Sequence, residues 1–146
     1  MSAEQSIFSF DEYSITDIQY IFDRDLMAQN RDKKVDFSVQ FTPEIKINEL
    51  EGKLSGIVKL QISVEGKINN TNLVNTSVNI FGKFSSSNLE KDKFNQYCRL
   101  NGVATLFQIA RALIISFTSQ TGNIPIIIPL TNIIASQEIT NQKTRK

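Results

Sequence analysis

From Val35 onward the chain alternates: Val35, Phe37, Val39 and Phe41 are apolar, while Asp36, Ser38, Gln40 and Thr42 are polar. That period of two belongs to a strand with one wet face. Pro43 interrupts the pattern, and Ile45 and Ile47 resume it. A proline cannot donate to a ladder, so this strand is expected at an edge, a bulge or a kink. Upstream, residues 13–22 are dense in β-branched and aromatic side chains and predict a first strand, after a loose acidic lead-in over 1–12. The polar stretch from Asp23 to Lys34 is expected to be an exposed connection. A third strand is expected over 57–64, with Val58, Leu60, Ile62 and Val64 on one face. Asn69-Asn70-Thr71-Asn72 supplies turn chemistry, and Val74, Val78, Ile80 and Phe84 then share one parity of a fourth strand. Gly82 lies inside that strand, where a bulge or the close approach of another backbone is the usual reason. Consecutive strands joined by short polar turns make the sheet antiparallel.

After Ser85-Ser86-Ser87 the period changes. Ser87 or Asn88 is placed to cap a short helix through Leu89, Phe94 and Tyr97 that ends near Asn101-Gly102. A longer helix is expected from Val103 to Thr121, stopping at Gly122. Val103, Leu106, Phe107, Ala110, Leu113, Ile114 and Phe117 recur at steps of three and four, the stripe that packs on a sheet. Its other side is also poor in charge: Ala104, Ala112 and Ile115 flank Gln108 and Arg111. A helix apolar on most sides is normally covered twice, and one small sheet covers only one side. A second copy of the chain is therefore expected on Ala104, Gln108, Arg111, Ala112 and Ile115. The fold class is α+β, a four-stranded antiparallel sheet followed by a short and a long helix on one face.

At 146 residues with 40% hydrophobic side chains, the chain is sized for one core. We read residues 1–135 as a single domain and 136–146, ending Lys143-Thr144-Arg145-Lys146, as a flexible basic tail. Sixteen basic residues stand against fifteen acidic ones, which gives no reason to expect nucleic-acid binding. The charge is unevenly spread, with ten acids and five bases in residues 1–50 but one acid and four bases in 101–146. The apolar stretch 103–117 is shorter than the ~20 residues of a membrane span and is broken by Arg111, so no membrane insertion is expected. Absence of His and a single cysteine, Cys98, exclude a His-dependent triad, a Cys/His zinc site and an internal disulfide. A lone thiol and an opening without a secretory pattern suit the cytoplasm.

Catalytic chemistry finds no foothold in this pattern. The paired carboxylates Asp11/Glu12, Asp23/Asp25 and Glu49/Glu51 stand beside no nucleophile or metal partner, and the six glycines are scattered singly. No enzyme activity and no cofactor are expected. What remains is apolar: a half-buried sheet with Phe37 and Phe41, a long apolar helix, and the proline-bracketed run Ile124-Pro125-Ile126-Ile127-Ile128-Pro129. The chemistry on offer is binding.

The ordered motifs resemble the SecB protein-export chaperones. Phe41-Thr42-Pro43-Glu44-Ile45-Lys46-Ile47 is similar to that family's aromatic-x-Pro-Glu-aliphatic-Lys-aliphatic segment. Leu106-Phe107-Gln108-Ile109-Ala110-Arg111 resembles the Leu-Phe-Pro-Tyr-Ala-Arg that opens its long helix, and Thr118-Ser119, Gly122, Pro125 and Pro129-Leu130-Thr131-Asn132 follow at the family spacing. The resemblance covers about residues 13–135. It implies a dimer of dimers with the long helices sandwiched between sheets, and an ATP-independent holdase that binds unfolded client polypeptide in apolar grooves. Carried over position by position, the groove involves Phe37, Phe41, Ile45, Ile47 and Ile126.

Export members dock the SecA motor through an acidic sheet surface. The matching positions here are Asp17, Ile21, Asn75 and Ser77, of which only Asp17 keeps a charge, and Gln108-Ile109 replaces Pro-Tyr. A charge-steered contact loses rate and specificity without its charges. The departures favour a specialised member, such as the family's chaperones of toxin-antitoxin systems, which hold an antitoxin. An alternative from another class is a non-enzymatic module that binds one dedicated folded partner.

Overall fold

The computed structural model describes residues 8–128. Four strands, β1 (Ser9–Phe22), β2 (Asp36–Leu50), β3 (Lys53–Ile68) and β4 (Thr71–Ser86), form one sheet in the order β1-β4-β3-β2, antiparallel at every pairing. β2, β3 and β4 form a meander closed by two-residue turns. Both turns hold left-handed backbone at both central positions, φ 52° and 77° at Glu51-Gly52 and 49° and 65° at Asn69-Asn70. That geometry matches the twist of the flanking strands, and Asn and Gly tolerate it best. Residues 23–35 carry the chain from one sheet edge to the other. They contain a helical turn, α1 (Arg24–Gln29), which the sequence pattern did not indicate; the Asp23 carboxylate caps it by accepting from the Leu26 amide at 3.0 Å. β1 also starts four residues earlier than the apolar density suggested, because Ser9 and Phe10 pair with Ser85 and Phe84.

β2 is an edge strand, which explains Pro43. Its register against β3 runs unbroken from Asp36↔Lys67 to Leu50↔Lys53, with no bulge or shift at the Pro43↔Leu60 pair. The other edge, β1, shifts register between Phe10 and Glu12 and again between Ile15 and Asp17. Such irregularities blunt an edge against unwanted pairing.

The core lies between one sheet face and the C-terminal helices. Val58, Leu60, Ile62 and Val64 of β3 and Val78, Ile80 and Phe84 of β4 are each at most 1% exposed. Burying a side chain of this kind stabilises the fold by about 1.5–3 kcal/mol. Against them pack α2 (Lys91–Tyr97), a turn of π-helix over Cys98–Gly102, and α3 (Val103–Ser119). These form one continuous element, so the expected break at Asn101-Gly102 is absent. The Val103 amide reaches back to the Cys98 carbonyl, and the wider turn keeps Phe94, Cys98, Val103 and Phe107 on one buried face despite the five-residue step in the middle. Gly102 permits the fit: a β-carbon there would lie 3.3 Å from the Phe84 ring. The N-cap is Glu90, without a side-chain cap bond, in place of Ser87 or Asn88. At the far end α3 stops at Ser119, two residues short of expectation, and Gly122 takes φ 80°.

Joined in this way, residues 91–119 make a 29-residue helix long and apolar enough, by length and composition, to cross a bilayer. The argument from the length of 103–117 therefore fails. Leu106, Phe107, Ala110 and Ile114 of this element are buried against the sheet, and about a third of its most apolar window is buried in all. Gly82 answers to a side chain and not to a backbone, since a β-carbon at that position would lie 2.7 Å from Leu106 Cδ2. The basic tail 136–146 and Pro129-Leu130-Thr131-Asn132 lie outside the described residues.

Candidate functional site

The sheet is wider than its helical cover. β2 turns Phe37, Val39, Phe41, Pro43, Ile45 and Ile47 toward the helix side, because each pairs with a β3 residue on the core face, from Gly66 to Gly56. The helices meet mainly β3 and β4, so the apolar face of β2 is only partly covered. Phe37 remains 44% exposed and Val39 37%. Phe41 is half-buried and meets Phe107 of α3 edge-on, with ring centroids 6.1 Å apart. Ile45 and Ile47 are likewise half-buried at the core margin. Four of the five expected groove residues thus share one face of one strand.

The fifth, Ile126, is placed differently. It is 2% exposed and belongs to the core. The segment after α3 returns along the helix: Thr118 Oγ1 accepts from the Ile126 amide at 2.9 Å, and Arg111 Nε donates to the Ile128 carbonyl at 2.5 Å. Phe107, Arg111 and Thr118 fall on one flank of α3 by their spacing of four and seven residues. Because Phe107 touches Phe41, residues 126–128 lie on the flank that faces β2. Ile126 and Ile128 point inward, and Ile127, 72% exposed, points out. The run of three isoleucines concealed this in the sequence; the clue was its length, since an extended chain alternates and cannot bury neighbours together.

Ala104, Gln108, Arg111, Ala112 and Ile115 form a stripe along the outer side of α3, half-buried or exposed. Arg111 donates to the Ile128 carbonyl and is the single charged residue of the stripe. A second apolar margin, over β1, was not singled out from the sequence: Phe10 is 40% exposed, Tyr13 52% and Ile18 41%, next to Phe117 at 37%. Its cause is the same shortfall of cover at the opposite edge.

The other sheet face is polar. Asp17, Gln19 and Ile21 of β1 pair with Asn79, Ser77 and Asn75 of β4, so the four positions matched to motor docking do come together. Asp17 is exposed and accepts from Gln19 Nε2 at 3.2 Å. A shallow depression of about 370 Å³ nearby is lined by Thr16, Thr42, Glu44, Lys59, Gln61, Asn79 and Phe81. Among the described residues no group of three His, Cys, Asp or Glu side chains is arranged to hold a metal ion. Cys98 is buried against Gly56, and burial pushes its thiol up to about 11, so it is protonated at neutral pH.

No family model matches the chain. An uncharacterised protein of Methanocaldococcus jannaschii is 29% identical over 142 residues, spanning 94% of this chain and 89% of that protein. Among solved structures, the Mycobacterium tuberculosis SecB-like chaperone Rv1957, in complex with a ChAD peptide from the Rv1956 HigA1 antitoxin, superimposes with a TM-score of 0.67. The match covers 85% of this chain and 90% of that one at 11% identity. The chain has a SecB-like fold. A protein of unknown function from Streptococcus agalactiae aligns with a TM-score of 0.49, at 19% identity over 84% of this chain and 97% of that one.

Proposed function

We propose that the protein is a SecB-like chaperone, an ATP-independent holdase that keeps a non-native polypeptide extended on the apolar margin between β2 and α3. The observation that carries this reading is the row Phe37, Val39, Phe41, Ile45 and Ile47, turned to the helix side of an edge strand yet incompletely covered. Several shallow apolar contacts in series suit an unfolded chain, which gains affinity by engaging several at once. The SecB-like fold supports the same reading, as does the peptide complex of its structural neighbour.

The finer assignments follow from the residues. The stripe on α3, with Arg111 as its single charge, is the surface by which we expect two dimers to join into a tetramer. The outer sheet face carries Ile21, Asn75 and Ser77 beside the single carboxylate of Asp17, which argues for a dedicated client, an antitoxin in type, over service to the SecA motor. The single cysteine, buried and without a disulfide partner, is our ground for assigning the chain to the cytoplasm. Dilution of a chemically denatured, aggregation-prone protein into buffer with this chain and without nucleotide tests the reading. Light scattering should fall with increasing chaperone, and scattering unchanged at a fivefold excess would refute it.

A further inference from the structure

The turn after β2 fixes which of its main-chain groups face away from the sheet. Leu50 and Lys53 flank the two-residue turn at Glu51-Gly52, where both φ are positive, so the turn bond joins their main chains. Bonded and non-bonded pairs alternate in an antiparallel ladder, and the register against β3 is unbroken from there to Asp36. The even-numbered residues of β2 therefore bond β3, and the odd-numbered ones aim N–H and C=O at the free edge. The turn at Asn69-Asn70 gives the same phase: Ile68 bonds Thr71 of β4, which leaves the odd-numbered residues of β3 for β2. The outward positions are 37, 39, 41, 43, 45, 47 and 49. Pro43, the middle residue of this strand, supplies no donor there.

We propose that Pro43 keeps the free edge of β2 unpaired, by splitting it into two ladders too short for a second copy of the chain to add to. β1 is blunted by two register shifts, whereas β2 is regular over its whole length and has the proline in their place. Two copies joined antiparallel along β2 overlap fully when Pro43 faces Pro43, and that pair loses both of its bonds. Sliding the copies separates the prolines, yet each then faces a partner residue in a bonded position and leaves its carbonyl unmet. Only overlaps confined to residues 36–42 or 44–50 avoid them, roughly 24 Å of a strand of about 51 Å. Main-chain geometry alone assigns this role, which therefore holds whether or not the chain is a chaperone.

Amide hydrogen exchange on the full chain tests the phase. Thr42, Glu44 and Lys46 should be protected, and Phe37, Ile45 and Ile47 should exchange at least about a hundredfold faster. Equal protection of the two sets overturns the proposal. Pro43→Val restores the missing N–H at an exposed position. The variant should assemble to roughly twice the parent's mass or more by light scattering, with the Ile45 and Ile47 amides now protected. A folded variant of the parent's mass, or a larger one in which those amides stay fast, contradicts the role given to Pro43. Should Pro43→Val fail to fold, Pro43→Ala restores the same N–H and is read in the same way.

Discussion

Phe37 is the residue at which function separates most cleanly from stability. Its ring covers Gly66, where a β-carbon would lie 2.9 Å away, yet it keeps 44% of its surface in water. Phe37→Asp should weaken binding of an unfolded polypeptide at least tenfold while costing only about 1 kcal/mol of stability in urea unfolding. Phe41 is a poorer probe, because its ring is shared with Phe107 and a carboxylate there would disturb the core margin. Cys98 gives a pH signature. Its thiol moves from about 9 to about 11 on burial, so the unfolded chain ionises first. Stability is level below about pH 9 and falls as pH rises toward 11, by at most about 3 kcal/mol. The Cys98→Ala variant should lack that component of the alkaline decline; identical pH profiles for the two proteins would contradict it.

At the scale of elements, the strands were legible because one face of the sheet is buried and the other wet, which stamps a period of two on β3 and β4. Of the edge, bulge or kink that Pro43 allowed, the structure shows the edge. The helix was harder to read. Asn101-Gly102 looks like a terminus, yet the apolar sequence Phe94, Cys98, Val103, Phe107 contains one step of five, and a π-turn is the structure that puts such a step on one face. α1 left no helical period, since its apolar residues Leu26, Met27 and Ala28 are consecutive and none is fully buried, and it owes its turn to Asp23. Beside the Arg111 bond to the Ile128 carbonyl, the post-helix segment is held by one buried hydroxyl: Thr118 donates to the Ile114 carbonyl at 2.7 Å and accepts from the Ile126 amide. Thr118→Val leaves that buried amide unpaired and should cost about 1–3 kcal/mol. Thermal unfolding checks this, and a melting temperature equal to the parent's would mean that 126–128 is held without the Thr118 hydroxyl.

For the whole molecule, the candidate site was half legible. Phe37, Phe41, Ile45 and Ile47 share a parity, so a sequence pattern finds them together; the β1 margin is exposed only because the helices are narrower than the sheet, a fact no single strand encodes. The stripe on α3 makes an assembly claim. Ala112→Arg sets like charges against each other across a two-fold contact, and native mass spectrometry should show the tetramer reduced to dimers; a persistent tetramer would move the interface elsewhere. The central claim is that the helix-side margin of β2, and not the polar outer face, receives an unfolded chain. Titrating the methyl-labelled protein with a permanently unfolded polypeptide examines this directly. Shifts should concentrate at Val39, Ile45, Ile47 and Ile127 and leave Ile21 and Ile57 of the outer face unmoved; shifts confined to Ile21 and Ile57, or none anywhere, would contradict the account.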